Sequence, residues 1–325
     1  MSSADPRSTP SPHGVTIPAP PPNGGRTLDV AGFGEVMALA MPERGTSIED
    51  TGSLTLGAAG AEFNVCATVA RLGLRSALVS RLGADPLGRR VRRILREQGV
   101  DDALMADEPG APTGFFLREA LADGQRRAYY YRHGSAASTM DITDAERGLA
   151  ARPSAIVVSG LTAALGTGPR ECVRAAAAGA AAAGALLVVD PNLRPALGDL
   201  DLVASLVRSL LDRTDLLVLG LDEAPAILGT DDPGEALTAA RAAGCGQAVV
   251  KGGADGAWVL DGDRVVHVPA RAREVVDPVG AGDAFLGGFL AATLRGEDSV
   301  AAAELASTEA GRIVETSGDL PTPCR

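Results

Sequence analysis

A chain of 325 residues with 46% hydrophobic content can bury a large core, as one big α/β domain or as two smaller ones. Its 41 acidic residues against 30 basic ones give a formal net charge of −11, which excludes a general electrostatic attraction to nucleic acid or to an anionic membrane. Any positive charge that meets an anionic substrate must therefore be local. Cys66, Cys172, Cys245 and Cys324 show no Cys-x-x-Cys or Cys/His metal spacing, which suits reduced thiols packed in a cytoplasmic protein. The longest weakly apolar run, Ala175 to Val189, is too short and too mildly apolar to span a bilayer.

Residues 1–26 are rich in Pro, Ser and Gly without apolar periodicity, so a disordered tail is expected, with no apolar core for a secretory signal. A first strand is expected over 27–35. Its Gly32-x-Gly34 lacks the third glycine of a dinucleotide fingerprint, and that reading is rejected. Residues 37–56, with Pro42, Gly45 and Gly52, suit extended strands away from the main core. Gly57-Ala58-Ala59-Gly60 then reads as a loop delivering Glu62 and Asn64 to a helix start, where Val65, Val69 and Leu72 recur at helical spacing. An ordinary helix cap would also place polar residues there. Asp85 is expected to cap a helix with Pro86 at its first position, and Arg89, Arg90, Arg92, Arg93 and Arg96 to form its solvated face.

Residues 112–118 and 128–132, joined through Asp123-Gly124, read as a hairpin. With 37–56 it would make a small sheet, a lid over a ligand. Alternate strand residues share a face, so Tyr130 and Arg132 should point the same way, although an aromatic strand merely packing on its neighbour has the same pattern.

Beyond Ser138 the chain alternates apolar strand cores with Ala-rich helical stretches. The cores are Ile156-Val157-Val158, Leu186 to Val189, Leu216 to Leu219 and Ala248-Val249-Val250, recurring at the length of a βαβ unit. Continuous apolar runs imply parallel strands covered on both faces, with ligands beyond their carboxyl ends. Asp190 to Pro195, Gly220 to Glu223, Lys251 to Gly256 and Gly280 to Asp283 would then meet on one edge and describe a cleft.

The last of these loops carries the most chemistry. Val275-Val276-Asp277-Pro278-Val279-Gly280-Ala281-Gly282-Asp283-Ala284-Phe285 reads as a strand end, a glycine turn and a helix start. Backbone N–H groups at a helix N-terminus cradle an anion, and a carboxylate in the first turn can take a proton from a hydroxyl. Phosphoryl transfer to an alcohol needs both.

The string from Asp277 to Phe285 resembles the C-terminal signature of the ribokinase-like carbohydrate kinase family, and the resemblance extends over residues 27–321. Gly34-Glu35-Val36-Met37, Gly60 to Asn64, Tyr130-Tyr131-Arg132 with Gly134-Ser135-Ala136, Asp190 to Arg194 and Gly318 to Pro321 are most similar to the 2-keto-3-deoxygluconate kinase branch. The resemblance implies a doubly wound, mostly parallel α/β sheet flanked by helices, forming one domain over 27–325, with lid strands from about 37–56 and 112–132. It implies Asp283 as catalytic base. Gly60, Ala61, Glu62, Phe63, Asn64, Tyr130, Arg132, Arg194 and Asp319 would hold the sugar, with Arg194 open to a role on ATP instead. Asn192, Lys251, Gly253, Ala254, Asp255, Gly256, Gly280, Ala281 and Gly282 would surround ATP and its phosphates, and Glu223 would act indirectly on Mg²⁺.

A sugar acid also explains why an acidic chain sets aside Arg132 and Arg194, whose guanidinium groups can each grip a carboxylate bidentately. The chain departs from the family pattern at Gly220, where an amide is usual, at Phe116, where a Tyr is usual, and in stopping at Arg325 without a last helix. The leading expectation is an ATP- and Mg²⁺-dependent kinase of 2-keto-3-deoxygluconate. The alternatives are a kinase of fructose, ribose or a related sugar acid, and a non-catalytic sugar-binding relative, which the intact Gly-Ala-Gly-Asp disfavours. The partner expected is a small sugar or sugar acid, not nucleic acid or membrane, with self-association through the lid sheet.

Overall fold

The computed structural model describes residues 28–122, 125–316, 318 and 320. The expected tail, the Asp123-Gly124 turn, Asp319 and Cys324 lie outside them. The chain opens with β1 (Val30–Phe33), sends out β2 (Met37–Met41) and β3 (Thr55–Ala59), and returns through α1 (Ala61–Arg71) to β4 (Ser76–Gly83). Next come α2 (Pro86–Glu97), β5 (Val100–Asp101) and β6 (Met105–Glu108), and then a second excursion, β7 (Phe115–Ala120) and β8 (Arg126–Tyr131). Regular alternation follows through α3 (Ile142–Ala150), β9 (Ala155–Ser159), α4 (Gly160–Ala163), α5 (Thr167–Ala183) and β10 (Leu186–Asp190). It continues with α6 (Leu200–Arg208), β11 (Leu216–Gly220), α7 (Ala224–Leu228), α8 (Pro233–Ala242) and β12 (Gln247–Lys251). The chain closes with the hairpin β13 (Ala257–Asp261) and β14 (Arg264–Val268), then α9 (Ala281–Leu294) and α10 (Ser299–Val314).

The main sheet runs β14-β13-β12-β11-β10-β9-β1-β4-β5, with β6 also paired to β4. Every pair from β12 to β5 is parallel, while β13 pairs antiparallel with both β12 and β14. Strand order reverses between β1 and β9, which opens a crevice beyond the strand ends. Alternate strand residues serve opposite faces: Phe33, Ile156, Val158 and Leu187 join the core shared with α5 and α6, while Val30, Val157, Val188 and Val218 join that shared with α1 and α9. Both faces are apolar because both are covered, hence the unbroken apolar runs in the sequence.

The second sheet, β3-β2-β7-β8, gathers the two excursions. Met37, Leu39, Ala59 and Phe116 give it a small core of its own. Gly57-Ala58-Ala59 therefore belongs to a strand rather than to a loop, because its backbone pairs with Met37, Ala38 and Leu39.

Two further expectations change. The residues before the Gly280 turn are not a strand: β14 ends at Val268, and the N–H groups of Val276 and Asp277 bond to the Val314 carbonyl at the end of α10 instead of to a neighbouring strand. Nor is α2 solvated along all its arginines, since Arg92 pairs with Asp107 at 2.6 Å and Asp102 at 3.4 Å. Asp85 does cap α2, accepting the Gly88 N–H at 2.7 Å. Cys66, Cys172 and Cys245 are free and buried. No helix among the described residues is long and apolar enough to cross a membrane.

Helix α9 is apolar all round and packs between α1 and α10. Gly287 allows the α1 contact, since a Cβ there would lie 2.7 Å from the Thr68 Cβ. Gly60 makes a similar demand where β3 passes into α1. Its backbone is extended, but a Cβ would lie 2.2 Å from the Glu35 carbonyl oxygen. Gly60→Ala is expected to cost about 1–3 kcal/mol in denaturant unfolding, because a backbone atom cannot move aside as a side-chain tip can. Unchanged stability would show that the junction can open at no cost.

Candidate active site

The ends of β10, β11 and β12, the N-termini of α1 and α9 and the inner face of the small sheet enclose a cleft of about 610 Å³. β12 ends at Lys251, whose Nζ lies 3.6 Å from Asp190 Oδ1 at the end of β10. That oxygen is buried and accepts no hydrogen bond. Burial alone would pull the Lys251 ammonium down, but Asp190, Glu223 and Asp283 together hold it above its usual range, so it stays charged.

Glu223 joins two loops. Its Oε1 accepts the Leu193 N–H at 2.6 Å and its Oε2 the Gly220 N–H at 2.7 Å. Burial, then the nearby Asp190, pushes its carboxyl up, while Lys251 and the two N–H groups oppose the shift. A Cβ at Gly220 would lie 2.3 Å from Asp222 Oδ1, the tip of an exposed side chain that can move aside, so space alone does not explain the glycine there. Asn192 turns the loop after β10 with φ +39, a left-handed geometry that Asn tolerates better than most residues.

The Gly280 turn has the geometry its composition implies. Gly280 caps α9 at φ +83, where a side chain would be strained. The Ala281 N–H already donates to the Pro278 carbonyl at 3.2 Å, so the anion cradle rests on the N–H groups that follow it rather than on that of Ala281. Asp283 stands in the first turn of α9, and its Oδ2 accepts the Asn64 Nδ2 hydrogen at 2.8 Å. Its carboxyl is pushed up to about 7, first by burial and then by Asp190; the Asn64 hydrogen bond, Lys251 and Arg194 pull the other way. An acid titrating there is well matched to accepting a hydroxyl proton at neutral pH.

Helical geometry corrects part of the expected sugar loop. Ala61 and Asn64, three residues apart, share the cleft side of α1, while Glu62 and Phe63 turn inward. Phe63 is fully buried in the core. Glu62 is equally buried, accepting hydrogen bonds from Ser159 Oγ and, at 2.7 Å, Thr162 Oγ1, and burial pushes its carboxyl up to about 7. Neither side chain lines the cleft.

The small sheet follows the expected alternation except at Arg127, which also reaches the cleft. Phe116 and Arg118 on β7 and Arg126, Ala128 and Tyr130 on β8 line the cleft, as does Arg132 just beyond. Phe116 stacks on Tyr130 with centroids 5.4 Å apart, and the Arg132 guanidinium lies 5.7 Å from the Tyr130 ring. Arg132 is not a free cation. Its Nη2 stands 2.5 Å from Glu35 Oε2, while the Ser135 hydroxyl donates to Glu35 Oε1 at 2.5 Å. Arg194 is exposed at the opposite wall.

Gly60, Ala61, Asn64, Tyr130, Arg132, Asn192, Arg194, Glu223, Lys251, Gly253, Gly280, Gly282 and Asp283 thus meet in one cleft. Ala254, Asp255 and Gly256 do not line it, because the chain turns there into the antiparallel β13. Asp190, Arg118 and Arg126 were missed as site residues. Asp190 ends an apolar strand core, and the alternation that selects Tyr130 also selects Arg118 and Arg126.

A raised carboxyl, a charged lysine and a glycine-capped helix N-terminus, roofed by aromatic and guanidinium groups, define a phosphotransferase acting on a small hydroxyl compound. Residues 27–323 match the pfkB family of carbohydrate kinases, and the chain belongs to that family. It is 36% identical over 274 residues to 2-dehydro-3-deoxygluconokinase of Thermoproteus tenax, covering 82% of each chain. It is 30% identical to 2-dehydro-3-deoxygalactonokinase of Haloferax volcanii, covering 90% of this chain and 93% of the relative. Among solved structures, that of 2-dehydro-3-deoxygluconokinase from Thermotoga maritima superposes with a TM-score of 0.80 at 25% identity, covering 90% of this chain and 95% of that one.

The Asp283 environment has a cost that stability should report. A carboxyl raised above its unfolded-state value stabilises the fold only while protonated, so that contribution is present below about pH 4 and is lost as pH rises through about 7. Asp283→Asn should therefore raise the melting temperature at pH 8 and leave it unchanged at pH 4. An equal effect at both pH values would show that Asp283 is not held in a raised state.

Proposed function

We propose that this carbohydrate kinase transfers the terminal phosphoryl group of ATP to the 6-hydroxyl of 2-keto-3-deoxygluconate. The observation that carries the reading is the pairing of Asp283, raised to about 7 and oriented by Asn64, with a roof of guanidinium groups. The hydroxyl oxygen attacks the γ-phosphorus, the bond to the β–γ bridging oxygen breaks with its electrons leaving on ADP, and Asp283 takes the hydroxyl proton. The N–H groups of the α9 N-terminus and Lys251 receive the negative charge that spreads over the transferring group. Arg194, which acts electrostatically on both Asp283 and Lys251, serves the phosphates in this reading rather than the far end of the sugar.

The residues fit magnesium. Asp190, whose Oδ1 accepts no hydrogen bond, would hold the ion at the phosphates together with water, and the ion would neutralise phosphate charge. Glu223 supports that arrangement by tying the two loops together, since both its oxygens already accept backbone N–H groups.

The choice of a sugar acid rests on oriented donors rather than on net charge. Arg118, Arg126 and Arg132, held in place by Asp277 and Glu35, bring guanidinium N–H groups to the cleft where a sugar carboxylate could accept them. The names of the relatives from Thermoproteus tenax and Thermotoga maritima support the same substrate. Buried free thiols support a cytoplasmic setting, and the exposed Tyr129 and Tyr131 on β8 support self-association through the small sheet.

With ATP and a panel of sugars, kcat/KM for 2-keto-3-deoxygluconate is expected to exceed that for fructose or ribose by at least about 10²-fold, the size of a lost charge-assisted contact or two. Comparable efficiency with fructose or ribose would overturn the sugar-acid assignment. In Asp283→Asn, turnover should fall at least about 10²-fold. The wild-type kcat/KM should decline below about pH 7 as Asp283 is protonated, and a flat profile down to pH 5 would remove Asp283 from the base role.

A further inference from the structure

Two arginines of the small sheet close on one carboxylate outside the catalytic group. Arg118 Nη2 on β7 stands 3.3 Å from Asp277 Oδ2, and Arg126 Nε on β8 stands 3.5 Å from Asp277 Oδ1. Arg126 Nη2 also donates to the Val276 carbonyl at 3.2 Å. On its other side, Asp277 Oδ1 accepts the Val279 N–H at 3.2 Å, one residue before the Gly280 turn. The segment is anchored behind by the Val276 and Asp277 N–H groups, which donate to the Val314 carbonyl at 2.8 and 3.0 Å.

Burial makes this contact more than a surface ion pair. Asp277 and Arg118 are 8% and 7% exposed, and charges so placed are tolerated only while paired. Separating the small sheet from the segment would strand the Asp277 carboxylate and would require water to reach Arg118. The same separation would remove both cations from the carboxylate that orients Val279.

We propose that Asp277 is a positioning residue for phosphoryl transfer: its carboxylate latches Arg118 and Arg126 of the lid to the segment that ends in the Gly280 turn. Closing the lid over the sugar and setting the phosphate cradle then become one event. The inference rests on the kinase reading above, and on a contact that the catalytic base does not share. An unlatched lid leaves the cradle loosely set and admits water to the γ-phosphoryl group, which favours hydrolysis over transfer to the sugar.

Asp277→Asn keeps an oxygen for the Val279 N–H and removes the charge. Three quantities test it: kcat for sugar phosphorylation, the ratio of ADP released to sugar phosphate formed, and hydrogen exchange of the amides of residues 115–120 and 126–131. In the variant, kcat should fall at least about tenfold, the ratio should rise, and lid exchange should quicken. Arg118→Gln, which removes the other half of the buried pair, should reproduce all three changes. Arg126→Gln should show them more weakly, because its side chain is 36% exposed and screened by water. A normal ratio and normal lid exchange in either Asp277→Asn or Arg118→Gln overturns the latch, even where activity falls, because a merely structural role lowers transfer and hydrolysis together. Each ratio is read with the sugar that the wild-type enzyme phosphorylates best. A wrong substrate assignment therefore shows in the wild type, and a wrong latch only in the variants.

Discussion

The hydrogen bond from Asn64 to Asp283 joins a helix near the start of the chain to one near its end, and the active site depends on it. It forms only because α1 and α9 approach closely, and that approach depends on the missing side chain at Gly287. The same packing buries the Asp283 carboxyl enough to raise it while leaving it at the cleft. Core packing and the raised carboxyl are thus one arrangement. A carboxylate in the first turn of an exposed helix would be a helix-stabilising charge and a poor base at neutral pH.

Around that contact the protein arranges charge against its overall sign. Most carboxylates of an acidic chain lie outward, yet the cleft collects guanidinium groups from the small sheet and an ammonium from β12. Several of these cations are compensated where they stand: Arg132 by Glu35, Arg118 and Arg126 by Asp277, and Lys251 by Asp190. Compensation fixes their positions without a ligand and limits their mutual repulsion. It also changes how Arg132 is read. Its charge is already answered, so it contributes to a sugar site more through its fixed orientation over Tyr130 than through unneutralised attraction.

The expectations that succeeded rest on local periodicity or on turn chemistry. Unbroken apolar runs identified the parallel strands, alternation placed Tyr130 with Arg132, and Gly280 before Asp283 identified a glycine-capped helix start with a carboxylate in its first turn. Those that failed required knowledge of rotation or of neighbours. Glu62 and Phe63 lie next to Ala61 in sequence, yet successive helical residues point in different directions, and the two turn into the core. Gly57 to Ala59 looked like a flexible loop because glycine and alanine carry no strand signal, and only pairing with β2 makes them a strand. Val275 to Asp277 looked like a strand, yet the backbone partner is the end of α10 rather than a sheet neighbour.

By itself the sequence determined the fold class, the edge on which the polar loops gather, and the carboxylate set in the first helical turn after the glycine cap, because these follow from periods of two and about 3.6 residues and from the backbone freedom of glycine. Tertiary structure alone decided which side chains share the cleft and in what charge state. It raised the Asp283 carboxyl, turned Glu62 inward, tied Glu223 to two backbone N–H groups, and gave Arg132 and Arg118 their acidic partners. Those outcomes depend on burial and on distances between residues far apart in the chain, and neither quantity is written in any local stretch of it.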